Sequence, residues 1–137
     1  VFPHLRPFYR RKSLLTHNER DFYKALCAVV RGYAILAKVR LVDLIGADDR
    51  HKFWQANFRR VCSKHIDFVV CDSDLRPILA IELDDLSHQR EDRRRRDSDI
   101  NQLFAAVSFP LLRIAVQDQY RPEELSQRII ETVAATG

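Results

Sequence analysis

Hydrophobic positions change period along the chain, and each change marks an element. Phe22, Tyr23, Leu26, Val29 and Val30 recur three to four residues apart, the spacing of one helical face. Thr16 precedes them with Glu19 three residues on, the pattern of a capping box, and Gly32 supplies a stop. A helix is predicted over 17–31. From Tyr33 to Ile45 the period falls to two, with Ile35, Ala37, Val39 and Leu41 on one face and Lys38 and Arg40 on the other, as in a strand. Residues 46–62 open on Gly46-Ala47-Asp48-Asp49 and carry Trp54 and Phe58 four apart. They predict a loop and a short helix on the sheet, with both aromatics in the core rather than serving as platforms for bases.

The runs His65–Asp72 and Pro77–Asp84 are rich in β-branched and large apolar residues and flank the turn composition Ser73-Asp74-Leu75-Arg76-Pro77, predicting an antiparallel hairpin. Over 89–107, Ile100, Leu103, Phe104 and Val107 form a helical stripe behind a front half that is almost entirely charged. Pro110–Val116 predicts a short strand. Pro122 opens a last helix with Leu125, Ile129, Ile130 and Val133 inward. This order predicts an α/β domain whose mixed sheet is covered on both faces. At 137 residues the chain holds one core and is too short for two ordinary domains, with 1–13 as an N-terminal arm and 14–137 as the folded unit.

Charge changes the picture only at one end. The net +4 sits within residues 1–18, which hold Arg6, Arg10, Arg11 and Lys12 and no acid; 19 bases remain against all 19 acids in the rest of the chain. The body is neutral, and the arm is expected to touch phosphates or anionic lipid, or else to be a solvated extension. Three cysteines, an odd number without a scaffold layout, predict a reducing compartment. No run of 18 apolar residues and no secretory signal appear. The opening Val1 is what a fragment of a longer protein would show.

Candidate chemistry lies on the hairpin. Glu82 and Asp84, two apart, project from one side of their strand, and Leu79, Ile81 and Leu83 from the other. On the preceding strand Asp67 is expected to share a face with Val69 and Cys71, opposite Ile66, Phe68 and Val70, so that the register brings it beside Glu82. An acid flanked by Ile66 and Phe68 is costly without a partner. A divalent cation, magnesium or manganese, held by Asp67, Glu82 and the Leu83 carbonyl is one solution, and would activate water toward a phosphodiester. Asp85 then caps or turns the chain, and His88 just beyond the strand suits a general acid or base. The alternative is an ion-pair network, Asp67 with Lys38 or Arg40 and Glu82 with an arginine of the charged helix.

Within that helix Glu91 and Arg95, Asp92 and Arg96, and Arg95 and Asp99 are spaced as pairs across one turn. Extending the apolar stripe backward puts Arg93 and Arg96 nearest the sheet, as the better phosphate or carboxylate partners. Zinc is not expected: Cys62, His65 and Cys71 lack a fourth member, and two of them lie on a strand.

Several blocks in order carry a resemblance. Leu14-Leu15-Thr16-His17-Asn18-Glu19 with Phe22-Tyr23 and Ala25-Leu26, Lys64-His65-Ile66-Asp67-Phe68-Val69-Val70-Cys71-Asp72, Ile81-Glu82-Leu83-Asp84-Asp85-Leu86-Ser87-His88 and Pro110-Leu111-Leu112-Arg113-Ile114 resemble the bacterial domain-of-unknown-function family 2726. That family is placed in the PD-(D/E)XK nuclease-like superfamily, and the Glu82–His88 block is also similar to that of very-short-patch-repair-type endonucleases. The resemblance implies a restriction-endonuclease-like α-β-β-β-α-β core, here with an extra helix before the second strand and another at the end. It also implies a helix-one acid at Glu19, the "PD" acid at Asp67 and the acid of "(D/E)XK" at Glu82. Two positions depart: Ile66 replaces the proline, and Asp84 stands where the lysine would be, with no lysine after Lys64. Lys38, Arg40 or His88 would then have to serve, or the domain binds nucleic acid, expected to be DNA, without cutting it. Arg40, Arg93, Arg96, Arg10, Arg11 and Lys12 are the expected nucleic-acid contacts. The implied location is the cytoplasm, with an upstream tether to the inner membrane as the alternative.

Overall fold

The computed structural model describes residues 4, 8–46, 48, 50, 55–56, 59, 62–85 and 91–136, without the side chains of 91–93 and 96. Helix α1 (His17–Val29) begins as its capping box dictates: the Glu19 amide donates to Thr16 Oγ1 at 3.2 Å, and the Thr16 amide donates to Glu19 Oε1 at 3.0 Å. It ends at Val30, after which Gly32 takes φ +85, a left-handed conformation that costs glycine little.

Strand β1 (Ala34–Arg40) is followed directly by one helical turn, α2 (Leu41–Leu44). The strand is thus shorter than its alternation implied. Arg40 makes two 2.9 Å bonds to Asp43, and the turn buries Leu41 completely. The helix expected around Trp54 and Phe58 falls on residues outside the described set. Strands β2 (His65–Cys71) and β3 (Pro77–Asp84) form the hairpin, α3 (Glu91–Ala106) crosses over, β4 (Leu111–Ala115) follows, and α4 (Pro122–Thr136) closes the chain.

The sheet order is β1-β2-β3-β4; the first two pairings are antiparallel and β3 with β4 is parallel. The result is a mixed sheet with helices on both faces and the α-β-β-β-α-β order, α2 and α4 being the additions. On one face Phe22 and Leu26 of α1 pack with Phe68, Val70, Leu79, Ile81, Leu112, Ile114 and Leu125. On the other, Ile100 and Phe104 of α3 pack with Leu41, Ile45, Ile66, Val69, Cys71 and Ala80.

Side-chain alternation breaks at one step, and this corrects two expected faces. Ile35 and Ala37 join the α1 cluster, whereas Val39 and Leu41 join the α3 cluster. Lys38, between them, has φ 53. Ile66 likewise packs on the α3 side while Phe68 packs on the α1 side. Ala37 pairs with Phe68 and Val39 with Ile66, so both strands change face together, opposite Lys38 and Asp67. Three apolar positions expected inside are outside: Val107 lies past the end of α3, and Ile130 and Val133 are exposed. Adjacent helical residues project about 100° apart, so with Leu125 and Ile129 packed inward Ile130 turns to solvent, while Val133, one turn after Ile129, is only marginally exposed. No helix among the described residues is long and apolar enough to cross a membrane.

Candidate metal and phosphate site

The face change at Asp67 coincides with a fork in the sheet. The β2–β3 ladder runs as far as Phe68 opposite Ile81, although both strands continue. Extending the register puts Asp67 opposite Glu82 and Ile66 opposite Leu83. The Leu83 amide points toward β2, because those of Ala80 and the carbonyl of Asp84, one residue out of phase, bond to the β4 side. Asp67 Oδ2 accepts that amide at 2.8 Å, in place of the Ile66 carbonyl that continued pairing would supply. A side chain thereby substitutes for a ladder bond. By the same alternation the Leu83 carbonyl faces the fork.

Behind the fork lies a hollow of about 140 Å³ lined by His65, Asp67, Glu82, Leu83, Asp84, Asp97 and Ile100. Asp67 and Glu82 therefore share it, as do Leu83 and Asp84. Glu82 Oε1 is buried and receives no hydrogen bond, while the residue makes other interactions.

Asp84, at the position of the missing lysine, meets Arg113 of β4. Arg113 Nη1 lies 3.2 Å from Asp84 Oδ1 and 3.6 Å from Asp97 Oδ1. Its Nε donates to Asn101 Oδ1 at 2.9 Å and its Nη2 to the Asp97 carbonyl at 3.4 Å. Arg113 is the register neighbour of Glu82, so one guanidinium fastens β4 to α3 and offsets two carboxylates beside the hollow.

The other expected residues lie elsewhere. Lys38 Nζ is 3.1 Å from Glu19 Oε2. Burial pushes the Glu19 carboxyl up, but the Thr16 backbone, Lys38 and the Thr16 hydroxyl together outweigh it and hold it below its ordinary value. Neither residue lines the hollow. Arg40 is held by Asp43. The ion-pair alternative for Asp67 through Lys38 or Arg40 is thus not what these side chains do. Arg10, Arg11 and Lys12 instead line a separate groove with Lys38. His88 and the side chains of Arg93 and Arg96 fall outside the described residues.

Sequence reasoning missed His65, Asp97 and Arg113 as neighbours of the acids. Asp97 had a usable signal, standing three residues before Ile100 on the buried stripe. Arg113 had one only jointly with the parallel register, which pattern alone does not fix. Among the described residues no three His, Cys, Asp or Glu side chains form a ready metal cluster. Two carboxylates with a backbone carbonyl are nonetheless the hard-oxygen set of an ion that retains several waters, and the hollow has room for them.

Fold and site together define a small mixed-sheet α/β domain with a carboxylate-lined hollow at a strand fork. The family model described as Protein of unknown function (DUF2726) matches residues 11–133, and the chain belongs to that family. No curated protein and no solved structure matches it.

Proposed function

We propose that the chain is a divalent-metal-dependent nuclease-like domain acting on phosphodiester bonds of DNA. The observation that carries this reading is the convergence of Asp67, Glu82 and the Leu83 backbone on one hollow at the fork of β2 and β3. Asp67, Glu82 and the Leu83 carbonyl would hold magnesium or manganese, which supplies positive charge to a phosphate oxygen and a more acidic water. Leu83 fixes the Asp67 carboxylate through one oxygen, leaving the other directed to the ligand. Arg113 offsets the charge of Asp84 and Asp97, so the acids do not all repel an incoming phosphate. His88, four residues beyond Asp84, is the proton donor or acceptor for the leaving or attacking oxygen. The reading implies a cytoplasmic location.

A second reading, a catalytically silent nucleic-acid-binding or scaffold domain, is favoured by two ion pairs. The lysine position is an acid paired with Arg113, and Lys38 is engaged by Glu19.

Titration calorimetry with magnesium and with manganese, on wild type and Asp67→Ala, tests the site: binding is expected in wild type and lost in the variant. Cleavage of single-stranded, duplex and branched DNA with either ion, abolished by Glu82→Ala, supports the enzyme. Metal binding without cleavage favours the silent domain. Absence of metal binding in wild type overturns the proposal.

A further inference from the structure

The strongest unassigned feature is the arm. Arg10, Arg11 and Lys12 line an open groove of about 830 Å³ with Leu14, Thr16 and Lys38. All three bases are exposed, and none meets a carboxylate among the described residues. Just before them Phe8 and Tyr9 are 80% and 72% exposed, two adjacent rings open to solvent beside the cationic residues. Residues 1–18 contain no acid, and the three arm cations that line the groove supply three of the four net positive charges of the chain.

We propose that this groove binds a single strand of nucleic acid, the bases of Arg10, Arg11 and Lys12 contacting successive phosphates and Phe8 and Tyr9 stacking on nucleobases. A positively charged groove flanked by aromatic rings is the combination that holds single strands without sequence preference. Anionic lipid would attract the same cations, but a concave groove accommodates a single strand better than the flat surface of a bilayer. The arm offers a groove, and residues 9–13 have no helical structure. Lys38 also lines the groove, its ammonium paired with Glu19. The choice of nucleic acid rests on the function proposed above, but the groove needs no metal, so the two fail separately.

The test is fluorescence anisotropy in EDTA with a labelled mixed-sequence single-stranded oligonucleotide, the corresponding duplex, and, by co-sedimentation, vesicles of phosphatidylcholine with phosphatidylglycerol. Wild type is expected to bind the single strand more tightly than the duplex, with affinity falling as salt rises. Replacing Arg10, Arg11 and Lys12 together by Ala should weaken binding at least tenfold and flatten the log–log salt slope by about 2, at roughly 0.7 per phosphate contact. Phe8→Ala with Tyr9→Ala should weaken binding by about thirtyfold or more at unchanged slope. Asp74→Asn, exposed in the turn between β2 and β3, should bind as wild type does. All arm positions are exposed, so the core is untouched. Vesicle binding without oligonucleotide binding, equal or tighter binding of duplex, or an unchanged salt slope in the triple variant would each overturn the inference. Single-strand binding without any metal-dependent cleavage would leave it standing and sink only the nuclease reading.

Discussion

Asp67 has two roles that different substitutions pull apart. Through Oδ2 it satisfies the Leu83 amide at 2.8 Å, a structural task, and through its charge it contributes to the hollow. In Asp67→Ala the amide loses its acceptor in a half-buried setting, which costs about 1–3 kcal/mol. Removing one of several acids around the hollow relieves repulsion and offsets part of that, so a net loss of about 1–2 kcal/mol is expected in EDTA. For a chain of this length that corresponds to roughly 3–8 °C in Tm. Asp67→Asn keeps a carbonyl oxygen for Leu83 and removes the charge, so in EDTA it should match wild type within about 0.5 kcal/mol. Magnesium separates wild type from both variants. At one hundred times its Kd the ion stabilises wild type by about 2.7 kcal/mol, and both variants should forfeit that gain. Urea denaturation of the three proteins, with EDTA and with magnesium, reads all of these differences. If Asn and Ala are equally destabilised in EDTA, the Leu83 bond is not what Asp67 supplies to the fold. If Ala keeps the full magnesium gain, the carboxylate is not a ligand.

Three further outcomes follow from the geometry. Glu19→Gln preserves the capping acceptor but loses the charge facing Lys38; because the folded-state value is lowered, wild type's advantage should be present above pH 4.5 and fade as pH falls through the folded value, so urea midpoints of the two proteins should differ by about 0.5 kcal/mol at pH 7 and converge in acid. Arg113→Ala leaves Asp84 and Asp97 facing each other and unties α3 from β4; a loss of about 1–2 kcal/mol is expected, partly recovered by adding Asp84→Asn, and an additive double variant would refute the coupling. Leu75, exposed in the β2–β3 turn at φ 61, should gain about 0.5–1 kcal/mol on replacement by Gly, measured as a higher Tm with an unchanged hairpin.

How far the sequence disclosed this molecule depended on whether the deciding interaction was local. Thr16 and Glu19 lie three residues apart, so the capping box and the start of α1 could be read directly, and the bounds of β3 followed from an apolar run between a turn and the charged stretch. The face change at Lys38 and Asp67 could not be read. Alternation assumes a regular strand, and here two strands leave regularity together, one through a left-handed backbone at Lys38 and the other through a carboxylate that replaces a ladder bond. The same limit governed the acids. Their convergence followed from the hairpin register, which pattern supplies, but the offsetting cation followed from a parallel pairing of β3 with β4 and from α3 lying across both. Sequence reading placed Lys38 or Arg40 beside Asp67 because they occupy the neighbouring strand; each is instead held by a nearer acid, Glu19 and Asp43. Arg113, 29 residues from Asp84 in the chain, takes the position near the acids that no local pattern could assign. An irregular step in the sheet thus frees the Leu83 backbone and aims Asp67 into the fork, and a long-range pair keeps the surrounding acids from dispersing it. The irregularity is what makes the hollow, which is why the part of the chain hardest to read from periodicity is the part with chemistry to offer.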